Sequence, residues 1–264
     1  MSPDEARALA LAFDGAAERD HHGFPSFRTT RRIFATLPDD GQLRVMLPEE
    51  EIRAAVAEWP WCEEQWWGKR LSAVRVVLAD CEPAVVAERY RRLAATLTER
   101  VASVPDGAWS RPSPCEGWTA RDLVGHLIDV HGRFLGLVGR ELVDHPSVAD
   151  DPLAAWSAVR DQVQADLDDP VRAAEEYDGR FGRSSFAAAV DGFVCFDLVV
   201  HGWDLARATG QDELVDPDEV ERIGAMVTAM QPTMLENGVI RDPVDPPPGA
   251  SPQDSLLCAL GRRP

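Results

Sequence analysis

The hydrophobic period of this chain changes once, near residue 83, and that change limits the fold more than any other feature. Before it, short strand-like runs cover Ser26–Thr30, Ile33–Leu37, Gln42–Leu47 and Ala73–Leu78. Asp39-Asp40-Gly41 separates two of them and is a hairpin turn signal. Two helices are expected beside these strands. One is the amphipathic Asp4–Ala17, with Leu9, Leu11 and Phe13 among alanines. The other opens at Pro48, carries Glu49, Glu50 and Glu51 at its positive end, and runs to about Glu58. Residues 1–83 therefore predict an α+β domain, a meandering antiparallel sheet covered by helices.

After residue 83 the spacing becomes helical throughout. Val86, Tyr90, Leu93, Leu97, Val101 and Val104 recur at helical intervals in Ala84–Val104. A turn-rich loop, Arg111 to Trp118, leads to Thr119, a good N-cap, and a long helix over Ala120–Leu142. Pro152 opens a helix to about Leu167, Ser184 or Ser185 caps one that reaches Ala208 before Gly210, and Asp216-Pro217 starts a fifth that ends near Asn237-Gly238. The proline-rich Asp242–Pro252 is expected to lie extended, with Leu256, Leu257 and Leu260 anchoring the end. Residues 84–264 thus predict an all-α helical bundle. No flexible linker marks the boundary, so the helix after residue 83 is expected to join the two domains as a semi-rigid pair.

Charge and cysteine usage exclude several function classes. The net charge of −18 opposes non-specific contact with nucleic acid or an anionic membrane. No uninterrupted apolar run of about 18 residues occurs, and the N-terminus lacks a basic segment followed by an apolar one. Five scattered cysteines without C-x-x-C spacing read as reduced thiols, so the expected location is the cytoplasm.

The chemistry-bearing residues sit in the second part. Asp197 and His201 are four residues apart in an apolar helical stretch, which puts both on one face about 5–6 Å apart at Cβ. His126 lies in another apolar helical run. Two packed helices would bring it onto the pair, making a three-ligand metal site with open positions. The plainer readings are a hydrogen-bonded core histidine and an ordinary i,i+4 surface pair. The apolar flanks of Asp197 favour burial, and a buried carboxylate needs a partner. Zinc fits two imidazoles and a carboxylate, with nickel, iron and manganese as alternatives.

Other residues receive blander readings. Asp204 is either an acceptor for a ligating imidazole or a surface partner, for example of Arg207. Trp118 and Trp203 are expected to pack the bundle, and Cys115 to pack its loop rather than act as a nucleophile. His131 is off the face of His126, and His21-His22 reads as a solvated loop. Trp59, Trp61, Trp66 and Trp67 are expected at the edge of the first domain's core, with an aromatic groove as the alternative.

Two blocks carry a resemblance: Pro112 through Leu127, centred on Pro114-Cys115-Glu116-Gly117-Trp118-Thr119 and His126, and Phe196 through Gly210. With the closing Leu260-Gly261-Arg262-Arg263-Pro264, they make about residues 86–264 resemble the metal-binding domain of the mycothiol-dependent maleylpyruvate isomerase family, within the DinB-like bundle superfamily. The resemblance implies a metal triad of His126, Asp197 and His201, with Asp197 where the isomerase carries Glu. It also implies a low-molecular-weight thiol such as mycothiol as cosubstrate. A C-terminal domain like the isomerase's is not expected, so that activity is not carried over. Residues 1–83 resemble the MmcQ/YjbR family through Gly23-Phe24-Pro25-Ser26-Phe27-Arg28, Ile33-Phe34-Ala35-Thr36-Leu37 and Leu47-Pro48-Glu49-Glu50. That family is often called DNA-binding. Ten Lys and Arg against fifteen Asp and Glu up to residue 85 argue against a surface that tracks phosphates, leaving only a local strip of Arg28, Arg31 and Arg32.

The expected function is a divalent-metal-dependent enzyme of the thiol-dependent transferase or isomerase type, acting on a small molecule. The alternative is a non-catalytic module whose first domain binds a partner or nucleic acid and whose metal is structural.

Overall fold

Two polar stretches of the first 86 residues, Ala16–His21 and Cys62–Trp67, form strands, both at sheet edges. The computed structural model describes residues 3–29, 32–38, 41–58, 62–179 and 182–264. It divides into two units, Met1–Val86 and Ala87–Pro264. The first opens with α1 (Pro3–Leu11) and continues through β1 (Ala16–His21), β2 (Phe24–Thr29), β3 (Arg32–Thr36), β4 (Gln42–Val45), α2 (Glu49–Glu58), β5 (Cys62–Trp67) and β6 (Arg70–Val77). The six strands form one antiparallel sheet in the order β1-β2-β3-β4-β6-β5.

Several expectations for this unit need correction. The first helix stops at Leu11, because Gly15 at φ +72° turns the chain into β1. Its buried face is Ala6 and Ala10, packed on Phe27, Ala35 and Leu37, while Leu9 and Phe13 are exposed. Small residues let the helix sit close to the sheet, which leucines at those positions would prevent. His21 ends β1 rather than lying in a loop, and His22-Gly23, both at positive φ, turn the chain into β2. The second helix cluster buries Ile52 against Cys62, Leu71 and Val74. Trp66 and Trp67 are about half exposed on β5 rather than in the core, and Trp66 Nε1 donates to a Glu64 carboxylate at 2.9 Å. The expected turn at Asp39-Asp40, the end of a strand at Thr30, Arg31, Trp59 and Trp61 lie outside the described residues.

The second unit is built on helices. α3 (Leu78–Ala102) begins six residues before the expected start, and the division into units falls within it. A short 3-10 turn (Ala108–Ser110) leads to α4 (Ala120–Leu137). Then come α5 (Pro152–Asp168), α6 (Pro170–Ala173), a hairpin of β7 (Glu176–Gly179) and β8 (Gly182–Ser185), α7 (Phe186–Ala189), a π-helical turn (Val190–Val194), α8 (Cys195–Thr209), α9 (Pro217–Glu236) and α10 (Pro252–Ala259). α4 packs against α5 and α8, and α9 against α10.

Caps explain most of these limits. Thr119 and Asp122 form a capping box at the start of α4, and Asp151, Ser185 and Asp216 cap their helices through side-chain oxygens. α4 ends five residues earlier than expected, at Leu137, because Gly139 takes φ +69° and the Arg140 N–H returns to the Leu135 carbonyl. Residues 242–251 hold no helix or strand, and a second capping box, Ser251 with Asp254, opens α10, which buries Leu256 and Leu257.

The helical run Phe186–Thr209 is long and apolar enough to cross a membrane by length and composition. Seventy-two per cent of its most apolar window is buried, which identifies it as the core helix of this unit.

Candidate metal centre

Three side chains converge where α4 and α8 pack. His126 projects from α4, and Asp197 and His201 leave one face of α8 a turn apart. His126 Nε2 lies 3.6 Å from Asp197 Oδ2, and His201 Nε2 lies 4.0 Å from Asp197 Oδ1. The imidazole centroids are 4.8 Å apart and nearly perpendicular. One ligand atom from each residue falls within 4.8 Å of the others. Ligands held at about 2.1 Å around a tetrahedral centre are roughly 3.4 Å apart, so the group needs only a small contraction to close on a cation. All three side chains are mostly buried but open onto one side.

The far side of His201 is fixed by partners that set which nitrogen faces that group. Its Nδ1–H donates to Asp204 Oδ2 at 2.9 Å, which turns Nε2 toward Asp197 and His126. Asp204 has no exposed surface, and Arg262 holds it from behind, Nη2 to Oδ2 at 2.9 Å and Nε to Oδ1 at 3.3 Å. Burial pushes the His201 pKa down, but the Asp204 hydrogen bond, aided by Cys115 and the Asp197 charge, outweighs it and raises it to about 9. Asp204 is likewise opposed by burial, yet His201 and Arg262 hold its carboxyl below the usual range. Of the two readings left open for Asp204, the acceptor for an imidazole is the one the fold adopts; Arg207 pairs with Glu213 instead.

Cys115 and Trp118 also reach this place, contrary to their expected packing roles. The loop before α4 is closed by a Ser113 N–H to Trp118 carbonyl bond at 2.8 Å, with Gly117 at φ +78°. This closure sets the Trp118 ring 4.7 Å from His126 and 6.0 Å from His201. Cys115 Sγ lies 3.4 Å from Asp204 Oδ2 and 3.9 Å from His201 Nδ1. Cys115, His201 and Asp204 form a second group of potential ligands. The Arg262 guanidinium supplies a positive charge on that side. Trp203 does pack in the core, at 1 % exposure. His131 stays apart: it is fully buried, its Nδ1 donates to the Leu127 carbonyl at 2.6 Å, and its Nε2 accepts from Tyr90 Oη at 3.0 Å.

The three residues open onto a cavity of about 580 Å³. Trp118, Phe134, Phe193 and Phe196 supply much of its wall, and Arg133 and Arg241 stand on its lining. The segment after α9 and the closing Gly261-Arg262 form the remaining side. Arg262 is thus a site residue that sequence reasoning missed as such; its only trace was its place in the closing motif.

The chain is 28 % identical over 153 residues to uncharacterized proteins MT0763 and Rv0738 from two strains of Mycobacterium tuberculosis, a stretch covering 57 % of this chain and 83 % of each relative. No solved structure matches. The family match runs from Tyr90 in α3 to Ala206 in α8, and so includes His126, Asp197, His201 and Asp204 but not Arg262. Residues 90–206 match the family described as the mycothiol maleylpyruvate isomerase N-terminal domain.

Proposed function

We propose that this protein binds one divalent cation through His126, Asp197 and His201 and uses it in a thiol-dependent transferase or isomerase reaction. The observation that carries the reading is the convergence of two imidazoles and a carboxylate beside a cavity, with His201 oriented by a buried carboxylate. Zinc suits this donor set best, ahead of nickel, iron or manganese. When bound with open positions, such a cation acidifies a thiol or water at neutral pH. The chain's own residues do the rest. Asp204 and Arg262 hold the His201 ring with Nε2 facing the other two ligands. The aromatic wall excludes water and accommodates the apolar body of a substrate. A low-molecular-weight thiol of the mycothiol type is the cosubstrate in this reading, supported by the family match. DinB-like and MmcQ/YjbR-like folds for the two units belong to the same proposal. So does a cytoplasmic setting, supported by thiols outside any disulfide at Cys115, Cys195 and Cys258.

Elemental mass spectrometry on protein purified without a metal-affinity tag tests the reading. About one equivalent of a divalent metal is expected, lost in the His126→Ala and His201→Ala variants. Protein that takes up no metal after reconstitution with a panel of divalent ions would overturn it. Metal content without turnover of mycothiol and an electrophile would remove the enzymatic half alone.

A further inference from the structure

Asp197 and His201 meet His126 only if α8 has the right rotation about its own axis, and that rotation is set one turn upstream. Between α7 and α8 the helix widens into a π turn over Val190–Val194, where the Cys195 N–H reaches back five residues to the Val190 carbonyl. A helix turns about 100° per residue, so the one residue a π turn inserts rotates everything after it by about that much relative to what precedes it. Phe193, inside the turn, and Phe196 and Asp197, just after it, all face the cavity.

The turn is gripped from outside. Asp191, whose carbonyl would accept from the Cys195 N–H in an α-helix, instead receives Arg89 Nη1 at 2.7 Å, and the same nitrogen lies 2.7 Å from Asp191 Oδ1. The other edge of the Arg89 guanidinium is held by Glu219, with Nε to Oε1 at 3.0 Å and Nη2 to Oε2 at 2.5 Å. Arg89 is 7 % exposed and Glu219 2 %. Arg92 shares Glu219 at 2.9 Å, and Arg222 faces Asp191 at 3.6 Å. A buried ion pair is costly to assemble and is often replaceable by apolar residues without loss of stability. Here it joins α3 and the first turn of α9 to the π turn that precedes the ligand helix.

We infer that Arg89, seated on Glu219, is a positioning residue for the metal centre: it clamps the π turn and thereby sets the rotation that delivers Asp197 and His201 to His126. The inference rests on the metal-binding reading. Arg89 touches neither ligand, so its effect must appear as altered affinity and coordination geometry.

The test is titration of the metal-free protein with cobalt, whose visible absorption reports coordination number, alongside its thermal unfolding. Arg89→Met is compared with Arg89→Met/Glu219→Met, which removes both buried charges together; should the single variant fail to fold, the double variant decides. A fall in cobalt affinity of about 10-fold or more, with a changed spectrum and a metal-free melting temperature near wild type in the double variant, is expected by analogy with other residues that orient ligands. Wild-type affinity and spectrum in the folded variant would show that the pair only stabilises the fold, and the clamp falls. Wild-type protein that binds no cobalt would remove the metal reading and the clamp with it.

Discussion

Replacing Asp204 by Asn keeps the shape of the buried side chain and removes its charge, which separates its two roles. The carboxylate accepts from His201 Nδ1, from Arg262 at both oxygens, and from the Cys115 thiol, with no exposed surface. An amide has one acceptor oxygen for these donors, and its NH₂ would face another donor. Arg262, 10 % exposed at its side chain, is left without its counter-charge. Removing one partner of a buried ion pair costs about 3–5 kcal/mol, so the metal-free variant should lose stability on that scale. Loss of the partner that orients a ligating imidazole typically weakens metal binding about 10- to 100-fold, which is roughly 1.4–2.7 kcal/mol. Urea unfolding in the presence of a chelator reads the first quantity, and zinc competition against a chromophoric chelator reads the second. Asp204→Asn/Arg262→Met should recover much of the stability, because no charge is then left unpaired, but not the zinc affinity. Stability within about 0.5 kcal/mol of wild type together with unchanged zinc affinity in Asp204→Asn would refute the reasoning. Recovery of both quantities in the double variant would show that Asp204 acts only through Arg262.

Two further outcomes follow from buried groups. Burial holds the His131 imidazole down at about 4, against a backbone bond that raises it, so the folded protein resists protonation there. Its contribution is complete above pH 6.5 and is lost as pH falls toward 4. At pH 5 the loss is about 2 kcal/mol, so urea stability of His131→Gln should fall less than wild type between pH 7 and 5 by that amount; parallel curves would contradict it. Gly261 sits at φ +81°, where a Cβ would lie 2.7 Å from Arg241 Cβ and 2.9 Å from the Asp242 carbonyl. Gly261→Ala should therefore cost about 2 kcal/mol and lower the melting temperature by roughly 4–8 °C, and an unchanged melting temperature would show that the segment yields freely.

How much of the fold was readable follows the strength of local signals. The helices α5 and α9 start where proline follows a capping aspartate, and both starts are visible in the chain. β1 and β5 escaped notice because Ala16-Ala17-Glu18-Arg19-Asp20-His21 and Cys62-Glu63-Glu64-Gln65-Trp66-Trp67 lack the alternation of a half-buried strand. They are edge strands, and an edge benefits from charge that discourages further pairing. Turn chemistry still marked both hairpins, in His22-Gly23 and Gly68-Lys69, so reading turns ahead of hydrophobic pattern would have recovered them. The overlong first helix is the converse error: helix-forming residues continue to Ala17, but Gly15 at positive φ breaks the run.

The candidate site divides along the same line between local and distant causes. Asp197 and His201 were readable because an i,i+4 pair with apolar flanks carries its own geometry. His126 needed only the assumption that two apolar helices pack. What holds these residues comes from far away in the chain. Arg262 meets Asp204 across 58 residues, and Arg89 meets the π turn across 102. No spacing rule links such positions, because the contact exists only after α3, α8, α9 and the tail have assembled. Nor does Val190-Asp191-Gly192-Phe193-Val194 announce a π turn, since its displaced carbonyl is satisfied by a side chain from another helix. The ligands of such a centre are thus encoded locally and their precise placement globally. Substitutions at Arg89, Glu219 and Arg262 should therefore change metal affinity even though none of the three reaches the ligand atoms.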